Sequence, residues 1–436
     1  MTERILIVDD EPGILEQLSQ VLAEEGYEVV TTPSGDEAVH LYRQQQPDVV
    51  FLDIWLPDRD GLETLAALME IDPAAAVVMI SGHGTAPTAV KSIKMGACNY
   101  LEKPLSLEGV LAAARDALEH RRARQGVPPA VAAELERAAR TEFREVLSHP
   151  PAFPAVRLTQ EPQRTIRAAG VIYGLGLHSG RRTGMVIQPL PPDSGIHFLT
   201  LPGGTRIPAH ILATADTDYA TTLAAGGETV RTVEHFLAVL HAAGITNLLI
   251  KVHGEIPVLD GSGLEFCRRL EEIGIVDQEA PRREVVIDRT YRLESGARSI
   301  TLEPAETFTV SYLLRYPPPV GEQFYEFTGG SFQAFKEQIA PARTFGFLRD
   351  LKMINELGLG SGGRLDNFIL VGDDRVINTA LRFPDEFVRH KILDIIGDLY
   401  LLGFPVRGRV TARLTGHRDN VAIQRHLLAA WGMLGE

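Results

Sequence analysis

RILIVDD at residues 4–10, with DVVFLDI at 48–54 and AVVMISG at 76–82, decides the fold of the N-terminal part of this 436-residue chain. Each is a short apolar run of the kind that forms a buried strand. Segments with helical spacing separate such runs, among them ILEQLSQVLAEEG at 14–26 and DEAVHLYRQQ at 36–45. Because strands that alternate with helices at this rhythm form a sheet wrapped by helices, the pattern predicts an α/β doubly wound, five-stranded parallel sheet.

Composition and charge narrow the class of protein. With 44% hydrophobic and 23% charged residues, the chain is typical of globular proteins rather than disordered ones. The net charge of −14 argues against non-specific binding to nucleic acid. Cys98 and Cys267 match no metal-binding spacing and are typical of a reducing compartment. The N-terminus lacks the pattern of a signal peptide, and no run of about 18 apolar residues occurs. We therefore expect a cytoplasmic protein without a membrane span.

Changes in composition and in the pattern of apolar residues along the chain predict four segments. The first domain is expected at 1–122, and a linker with one charged, amphipathic helix at about 130–147 occupies 123–162. This helix is either a simple connector or a dimerising signalling helix, because so short a pattern does not establish a coiled coil. Two further segments, 163–283 and 284–436, follow the linker.

These two segments repeat one order of elements. In each, strand-like runs come first and a long helical pattern follows, TVEHFLAVLHAAG at 232–244 and EFVRHKILDIIGDLYLLG at 386–403. GRVTARLTGH at 408–417 then has the pattern of a final strand. The repeated order predicts two related α+β subdomains, each of two layers.

Five polar residues fall at the ends of the N-terminal strands. Asp9, Asp10 and Asp53 follow the first and third strands, Ser81 ends the next one and Lys103 the last. Each residue alone is compatible with a helix cap, a turn or a solvated side chain. Together they lie at the carboxyl edge of a parallel sheet, where binding sites form. Converging carboxylates need a cation, and oxygen ligands favour Mg²⁺, with Ser81 and Lys103 placed to contact a phosphoryl group.

These residues, with LPDRDG at 56–61, resemble a bacterial response-regulator receiver domain. ISGHGTAPTAVKSIKMGACNYLEKPLS at 80–106 resembles receivers of the nitrogen-regulation type, and the resemblance covers residues 3–121. It implies a flavodoxin-like fold, a sensor histidine kinase as partner and Asp53 as the phosphoacceptor. It further implies that Asp10, Asp53 and the Trp55 carbonyl hold Mg²⁺, and that Asp9 assists through water. Ser81 and Lys103 would bind the phosphoryl oxygens, and Tyr100 would be the aromatic residue that changes position on activation.

A second constellation lies on the two long helical patterns. His235 is in the first, and His390 and Asp394 occupy positions i and i+4 of the second, on one helix face. Two imidazoles and one carboxylate suit a catalytic Zn²⁺ with an open position, and Glu234 could take a proton from water. The alternative is that these are packed or exposed residues, since the chain has 13 histidines and such short motifs occur by chance.

Six motifs in this part of the chain resemble UDP-3-O-acyl-N-acetylglucosamine deacetylases, the zinc amidases of lipid A biosynthesis. In order they are GLHSG (176–180), TVEH (232–235), VLDGS (258–262), ARTFGF (342–347), LRFPDEFVRHKILDIIGD (381–398) and TGH (415–417). The resemblance runs from Gln163 to the C-terminus. It implies that the substrate is UDP-3-O-acyl-N-acetylglucosamine and that water removes its N-acetyl group.

The same resemblance implies a role for each motif residue. His235, His390 and Asp394 would be the zinc ligands, and Glu234 the general base. The remaining roles are a protonated His417 that donates to the leaving amine, Asp398 that holds His417 in its charged form, Thr344 whose hydroxyl faces the oxyanion, Lys391 that binds substrate, and Phe345 that packs near it.

Other functions compete with this interpretation. One is an inactive signalling protein whose second part senses the nucleotide-sugar, and another is a DNA-binding regulator, which the acidic charge disfavours. Gly358, Gly360 and Gly363 match G-x-G-x-x-G, but they follow a helical pattern and precede a strand, so they do not indicate a dinucleotide site. We expect phosphorylation of Asp53 to alter the deacetylase.

Overall fold

A computed structural model describes residues 3–72, 74–82, 92, 95–124, 128–140, 154–350, 360, 363 and 367–433. The chain forms two compact units, Met1–Glu134 and Leu135–Glu436. None of the helices in the described part of the chain combines the length and the apolar character needed to cross a membrane.

The first unit is built on a parallel sheet of five strands in the order β2-β1-β3-β4-β5. The strands are β1 Arg4–Val8, β2 Glu28–Thr32, β3 Val49–Asp53, β4 Val77–Ser81 and β5 Asn99–Glu102. The helices are α1 Pro12–Glu24, α2 Gly35–Gln45, α3 Gly61–Ile71 and α4 Leu107–Arg124. This order, with its strand reversal beside β1, is that of flavodoxin-like folds, so the predicted fold class of this unit is confirmed.

Each face of this sheet has its own apolar core. One core, which includes Ile7, Phe51 and Val78, is covered by α1 and α4, and the other, which includes Leu52 and Met79, by α2 and α3. Since β3 and β4 are buried on both faces, their side chains are apolar without alternation. The segment TAVKSIKMGA at 88–97, whose sequence pattern predicts a helix between β4 and β5, lies largely outside the described residues.

The linker helix α5, Pro129–Arg140, crosses the division between the two units. Its second half packs on the second unit, where the Leu135 side chain is fully buried. The end of the predicted helix, beyond residue 140, lies outside the described residues. The following strand begins at Val156, seven residues before the boundary expected at Gln163. These first residues belong to the second unit, because Val156 pairs with Val285 in a later strand of that unit.

The second unit holds eighteen of the described strands and five of the described helices. The strands of its first part are β6 Val156–Ile166, β7 Gly170–Leu175, β8 Arg182–Pro189, β9 Ile196–Thr200, β10 Arg206–Pro208, β11 Thr214–Asp216, β12 Thr222–Ala225, β13 Glu228–Val230 and β14 Leu248–Val252. Those of its second part are β15 Ile275–Val286, β16 Tyr291–Ser295, β17 Arg298–Glu303, β18 Thr309–Arg315, β19 Glu322–Thr328, β20 Phe345–Phe347, β21 Ile369–Val371, β22 Val406–Arg407 and β23 Arg409–Arg413. The helices are α6 Glu234–Ala243, α7 Leu264–Ile273, α8 Phe332–Gln338, α9 Glu386–Leu399 and α10 His417–Ala430.

Two five-stranded sheets of this unit have the same topology. Their orders are β10-β9-β14-β8-β7 and β16-β17-β23-β18-β19. In each, two hairpins flank a central strand that comes last in the chain and runs parallel to one hairpin and antiparallel to the other. A long helix comes before the central strand in each case. In the chain, α6 directly precedes β14, and α9 precedes β23 with the short strand β22 between them. The prediction of two related α+β subdomains is therefore confirmed.

The helices α6 and α9 cross at very short range. A Cβ atom added to Gly397 would lie 1.9 Å from the Glu234 carbonyl oxygen, so only glycine permits this approach. The strand predicted over 408–417 ends earlier, at Arg413, and this part of the prediction was wrong. His417 begins α10 instead, because Gly416 and Asp419 form a helix cap there.

Candidate functional site

Two imidazoles and one carboxylate meet where α6 crosses α9. The Nε2 atoms of His235 and His390 lie 3.6 and 3.4 Å from Asp394 Oδ1. The two rings stand edge to face with centroids 4.8 Å apart. The ligand atoms of the three residues lie within 4.8 Å of one another, and all three side chains are buried. This cluster has the size and the donor set to hold one divalent cation.

Hydrogen bonding within the cluster favours a bound cation. His390 Nδ1 lies 3.1 Å from the Ala342 carbonyl, which places the proton on Nδ1 and leaves Nε2 as a lone-pair donor. Burial lowers the pKa of His390 to about 3, so the ring is neutral. Asp394 Oδ1 is buried without a hydrogen bond to any residue that the structure describes. A cation would satisfy this oxygen, whose burial without a donor is otherwise unfavourable.

Lys391 lies beside this cluster. Its Nζ donates to Asp394 Oδ2 at 2.9 Å and stands 5.6 Å from the centroid of the Phe345 ring. Burial opposes the charge of Lys391, but Asp394 and two nearby tyrosines outweigh burial and raise its pKa. In this structure the ammonium group of Lys391 neutralises Asp394, and the substrate contact that the resemblance implies for Lys391 stays a prediction.

Glu234 is the first residue of α6 and directly precedes His235, and its carboxylate contacts Thr221 and His417. Its Oε2 accepts from the backbone N–H of Thr221 at 3.0 Å, and its Oε1 lies 4.0 Å from His417 Nε2. Burial raises the pKa of Glu234, although His417 and His235 act in the opposite direction. A buried carboxylate with a raised pKa is suited to accept a proton.

His417 and Asp398 form a second pair, in which Asp398 is fully buried and His417 is partly buried. His417 Nδ1 lies 2.8 Å from Asp398 Oδ2, and Asp398 is fully buried on α9. Burial disfavours the charged imidazole, but Asp398, Asp394 and Glu234 outweigh burial and raise the pKa of His417 to about 10. His417 is therefore an imidazolium whose Nε2–H faces Glu234.

Two polar residues of this site were missed from the sequence. Thr221 binds Glu234 through its backbone and Asp398 through its hydroxyl group, at 2.6 Å from Oδ1. Asn420 Nδ2 donates to Asp398 Oδ2 at 2.8 Å. The sequence carried only an indirect signal for Asn420, namely its position one helical turn after the TGH motif.

The Glu255 carboxylate connects two of the sequence motifs of this unit. Glu255 accepts from the backbone N–H groups of His178 and Ser179 at 2.8 and 2.9 Å and from the Thr232 hydroxyl at 3.3 Å. Thr232 has a φ of 61°, which is unfavourable for a β-branched residue and requires support from its surroundings. The GLHSG and TVEH motifs, distant in sequence, are thus held together by one side chain.

Thr344 and Phe345 lie on the strand segment beside α9. The Thr344 N–H donates to the Gly261 carbonyl at 2.7 Å, which ties this segment to the VLDGS motif. The Phe345 ring packs against Phe387 and His390, with centroids 5.0 and 6.2 Å away. Phe345 is half-buried. Because its ring packs against His390, it borders the cluster of His235, His390 and Asp394 on one side.

The first unit has a separate acidic pocket at the carboxyl edge of its sheet. Ligand oxygens of Asp9, Asp10 and Asp53 lie within 4.8 Å of one another. Lys103 Nζ bridges Asp9 and Asp53 at 2.9 and 2.7 Å and also reaches Glu11 at 2.9 Å. The charge of Lys103 is supported by all three carboxylates, which together overcome burial and raise its pKa.

The other residues predicted for this pocket lie on or directly after neighbouring strands: Trp55 follows β3, Ser81 ends β4 and Tyr100 lies in β5. Asp53 Oδ1 accepts from the Trp55 N–H at 3.0 Å, and the Trp55 side chain is 63% exposed. Ser81 Oγ is buried without a hydrogen bond to any described residue, as is Tyr100 Oη. The Lys103–Pro104 peptide bond is cis. Among the residues predicted for this pocket, Asp9, Asp10, Asp53 and Lys103 lie within contact distance of one another.

Comparison with known proteins gives two family matches. Residues 163–429 match the family model of UDP-3-O-acyl N-acetylglycosamine deacetylase, and residues 5–115 match that of the response regulator receiver domain.

Individual relatives agree with these matches. The chain is 41% identical to the UDP-3-O-acyl-N-acetylglucosamine deacetylase of Anaeromyxobacter dehalogenans (strain 2CP-C) over 61% of this chain and 87% of that protein. It is 41% identical to the corresponding enzyme of Myxococcus xanthus (strain DK1622), over 61% and 86%. Among solved structures, the receiver domain of NtrX from Brucella abortus is 42% identical over 26% of this chain and 98% of that chain, with a TM-score of 0.26.

Proposed function

Since the chain belongs to the UDP-3-O-acyl N-acetylglycosamine deacetylase family and carries a receiver domain ahead of it, we propose that it is a phosphorylation-controlled, zinc-dependent deacetylase. The substrate is UDP-3-O-acyl-N-acetylglucosamine, and the reaction is hydrolysis of its N-acetyl group. The observation that carries this proposal is the buried cluster of His235, His390 and Asp394 with Glu234 and His417 beside it.

His235, His390 and Asp394 would hold Zn²⁺. When bound there, the ion would supply a Lewis acid that polarises the amide carbonyl and lowers the pKa of water. The neutral ring of His390 and the unsatisfied Oδ1 of Asp394 suit this role. Lys391 stabilises the ionised form of Asp394 through its ammonium group.

Glu234 and His417 move the protons of the reaction. Glu234 takes a proton from the attacking water, whose oxygen forms a bond to the acetyl carbon. His417 donates its Nε2 proton to the amide nitrogen as the C–N bond breaks, so that the amine leaves neutral and acetic acid is released, which then ionises to acetate. The Asp398 carboxylate keeps His417 protonated at neutral pH for this step.

Neighbouring residues orient the substrate. The Thr344 hydroxyl would donate a hydrogen bond to the oxyanion that develops on the acetyl oxygen. Amide hydrolysis requires that this negative charge be stabilised. Phe345, which borders the cluster and packs on His390, would contact the substrate beside the reacting group.

The first unit would accept a phosphoryl group from a cognate sensor histidine kinase at Asp53. Asp10, Asp53 and the Trp55 carbonyl would hold Mg²⁺, which neutralises the charge of the phosphoryl group. Lys103 and Ser81 would bind phosphoryl oxygens, with Asp9 acting through water. Ser81 and Tyr100 both have hydroxyl groups without a described partner, so they can adopt new contacts when Asp53 is modified.

The enzyme proposal is tested by acetate release from UDP-3-O-acyl-N-acetylglucosamine by the full, zinc-loaded chain. Glu234→Gln keeps the shape of the side chain and should reduce kcat by about 10²–10⁴-fold, as expected for loss of a general base. Glu228→Gln, at an exposed position, is the matched control and should keep wild-type turnover. Binding of the nucleotide-sugar without acetate release would favour the inactive sensor instead.

The regulatory proposal is tested by the same assay after phosphorylation with phosphoramidate and Mg²⁺, because this phosphodonor releases ammonia and no acetate. Turnover should change in the wild-type chain and stay constant in Asp53→Asn, which cannot be phosphorylated at this position. Equal turnover with and without phosphate on Asp53 would remove the regulatory part and leave the deacetylase intact.

A further inference from the structure

One residue outside the sequence motifs connects both proton-transfer groups of the deacetylase. Thr221 is fully buried and directly precedes β12. Its backbone N–H donates to Glu234 Oε2 at 3.0 Å, and its hydroxyl oxygen lies 2.6 Å from Asp398 Oδ1 and 3.3 Å from His417 Nδ1. A single residue of the first subdomain therefore contacts catalytic groups of both subdomains.

The hydroxyl group of Thr221 completes the hydrogen bonding of Asp398. Oδ1 accepts from Thr221, while Oδ2 accepts from His417 Nδ1 and Asn420 Nδ2, each at 2.8 Å. An ionised carboxylate only accepts hydrogen bonds, so donors on both oxygens prevent its rotation. With the carboxylate fixed, the plane of the His417 ring is fixed, and Nε2 points towards Glu234.

The backbone of Thr221 has a matching effect on Glu234. Because the N–H group engages Oε2, the other oxygen, Oε1, is the one nearest His417 Nε2, at 4.0 Å. The proton acceptor and the proton donor of the reaction are thus oriented relative to each other through one residue. In a buried site, such orientation is provided by neighbouring hydrogen bonds rather than by water.

We propose that Thr221 is a positioning residue of the deacetylase, whose hydroxyl group fixes the Asp398–His417 pair in register with Glu234. The proposal rests on the proposed function, since it concerns the same proton transfers. It assigns the effect to the hydroxyl group and not to the volume of the side chain. Valine has the shape of threonine without the hydroxyl group, and serine keeps the hydroxyl group with less volume.

The adjacent residue provides a matched control. Thr222 is also a buried threonine, but its Oγ1 makes no hydrogen bond to any residue in the described part of the chain. Thr222→Val therefore removes a hydroxyl group at the next position without removing a contact of the site. Any effect of Thr221→Val that Thr222→Val lacks belongs to the hydrogen bonds of Thr221.

The kinetic test compares these variants in the full, zinc-loaded chain. Thr221→Val should lower kcat by about 10–100-fold, the usual effect of losing such a supporting hydrogen bond, with KM changed less than about threefold. Thr221→Ser should restore kcat to within about threefold of wild type, and Thr222→Val should match wild type. A kcat of Thr221→Val equal to that of Thr222→Val would overturn the proposal, as would failure of Thr221→Ser to restore activity.

A spectroscopic test decides the proposal without turnover. The His417 Nδ1 proton donated to Asp398 should give a far-downfield proton NMR signal, assigned by its absence in His417→Gln. In Thr221→Val this signal should shift or broaden, while in Thr222→Val it should stay unchanged. Absence of acetate release by the wild-type chain would refute the proposed function, whereas an unchanged signal in Thr221→Val would refute the positioning role.

Discussion

At the scale of single residues, the acidic pocket of the first unit stores unfavourable electrostatic energy. Asp9 is fully buried, and burial raises its pKa to about 6, even though the Glu11 N–H and Lys103 favour its charged form. Asp53, close by, adds repulsion between like charges. A pocket that holds carboxylates against this penalty is prepared to bind a cation.

The raised pKa of Asp9 predicts that Mg²⁺ binding weakens as the pH falls through about 6. In the metal-free protein the folded form takes up a proton between pH 6 and 3.8 that the unfolded chain does not, so acid relieves the penalty on Asp9. Mg²⁺ needs the ionised group, and its affinity should fall about tenfold per pH unit below 6.

Fluorescence of the exposed Trp55 would measure this affinity, in a Trp431→Phe background that removes the second of the two tryptophans. Asp9→Asn, which cannot titrate, is the control and should bind Mg²⁺ more weakly but without this pH dependence. In the Trp431→Phe protein that keeps Asp9, the same Mg²⁺ affinity at about pH 7.5 and about pH 5 would contradict the prediction.

Spacing within one element gave candidate site residues, but it did not decide their roles. His390 and Asp394 share a helix face, and their spacing was compatible with a cation site, whereas their assignment as ligands depended on the family resemblance. Thr221 could not be found in this way, because its most direct contact with Glu234 uses a backbone N–H, which every residue except proline possesses. Its hydroxyl contact depends on where a loop of one subdomain meets a helix of the other.

At the scale of elements, the crossing of α6 and α9 determines whether His235 can meet His390 and Asp394. Gly397 lets α9 approach the Glu234 carbonyl, and a Cβ at this position would lie 1.9 Å from that oxygen. Because the neighbour is backbone, it cannot move aside without shifting α6. His235 would then move away from His390 and Asp394.

Gly397→Ala should therefore lower both stability and zinc affinity. We expect a loss of about 3 kcal/mol or more in the free energy of unfolding, together with a large loss of turnover. Gly330→Ala is the control, since a Cβ there meets nothing within 4 Å and the change should stay within about 0.5 kcal/mol. Denaturant unfolding and zinc titration measure the two effects, and wild-type zinc affinity in Gly397→Ala would show that the helices can separate without disrupting the cluster.

The linker helix α5 is part of the second unit from Leu135 onward. Leu135 is fully buried, and a Cβ on Gly184 would lie 2.9 Å from its side chain, which shows how closely the helix lies on β8. At the end of the helix the Ala138 carbonyl accepts from Lys251 Nζ at 2.7 Å, and Gln188 donates to the Ala139 carbonyl at 3.0 Å. Donors from β14 and β8 thus cap its C-terminus.

Leu135→Ala should consequently destabilise the deacetylase unit by about 2–5 kcal/mol, because it leaves a cavity between α5 and the sheet. Leu158→Ala removes the same atoms from a side chain that is 66% exposed, and it should change stability by less than about 0.5 kcal/mol. Thermal unfolding of the full chain compares the two. Equal melting temperatures would mean that α5 is not needed by the unit.

The elements themselves were mostly predictable, and the exceptions have physical reasons. β3 and β4 were evident because strands buried on both faces need continuous apolar runs. The sequence does not predict the start of α10, because the apolar and polar residues continue to alternate from β23 into the TGH motif. The chain instead turns at Leu414, which has a φ of 55°, and the cap formed by Gly416 and Asp419 starts the helix. Two weak local signals therefore determined this boundary.

At the scale of the whole molecule, the chain combines two units with separate apolar cores. The first unit has one core on each face of its parallel sheet, and the second has a large core shared by its two subdomains. Units with separate cores are expected to unfold in separate transitions. Regulation by phosphate on Asp53 requires a coupling free energy between them, since an effector acts on a distant site only through different affinities for two states.

This requirement predicts the outcome of calorimetry with a phosphoryl mimic. Beryllium fluoride with Mg²⁺, at about 100 times its Kd, should stabilise the first unit by about 2.7 kcal/mol and raise its melting temperature by about 10 °C. If the units are coupled by 1–3 kcal/mol, which is typical of allosteric proteins, the transition of the second unit should also shift by about 2–8 °C. In Asp53→Asn neither transition should respond, which separates the effect of the mimic from that of Mg²⁺ alone. A shift confined to the first unit would mean that phosphorylation does not reach the deacetylase through the folded chain, whatever the activity of either unit.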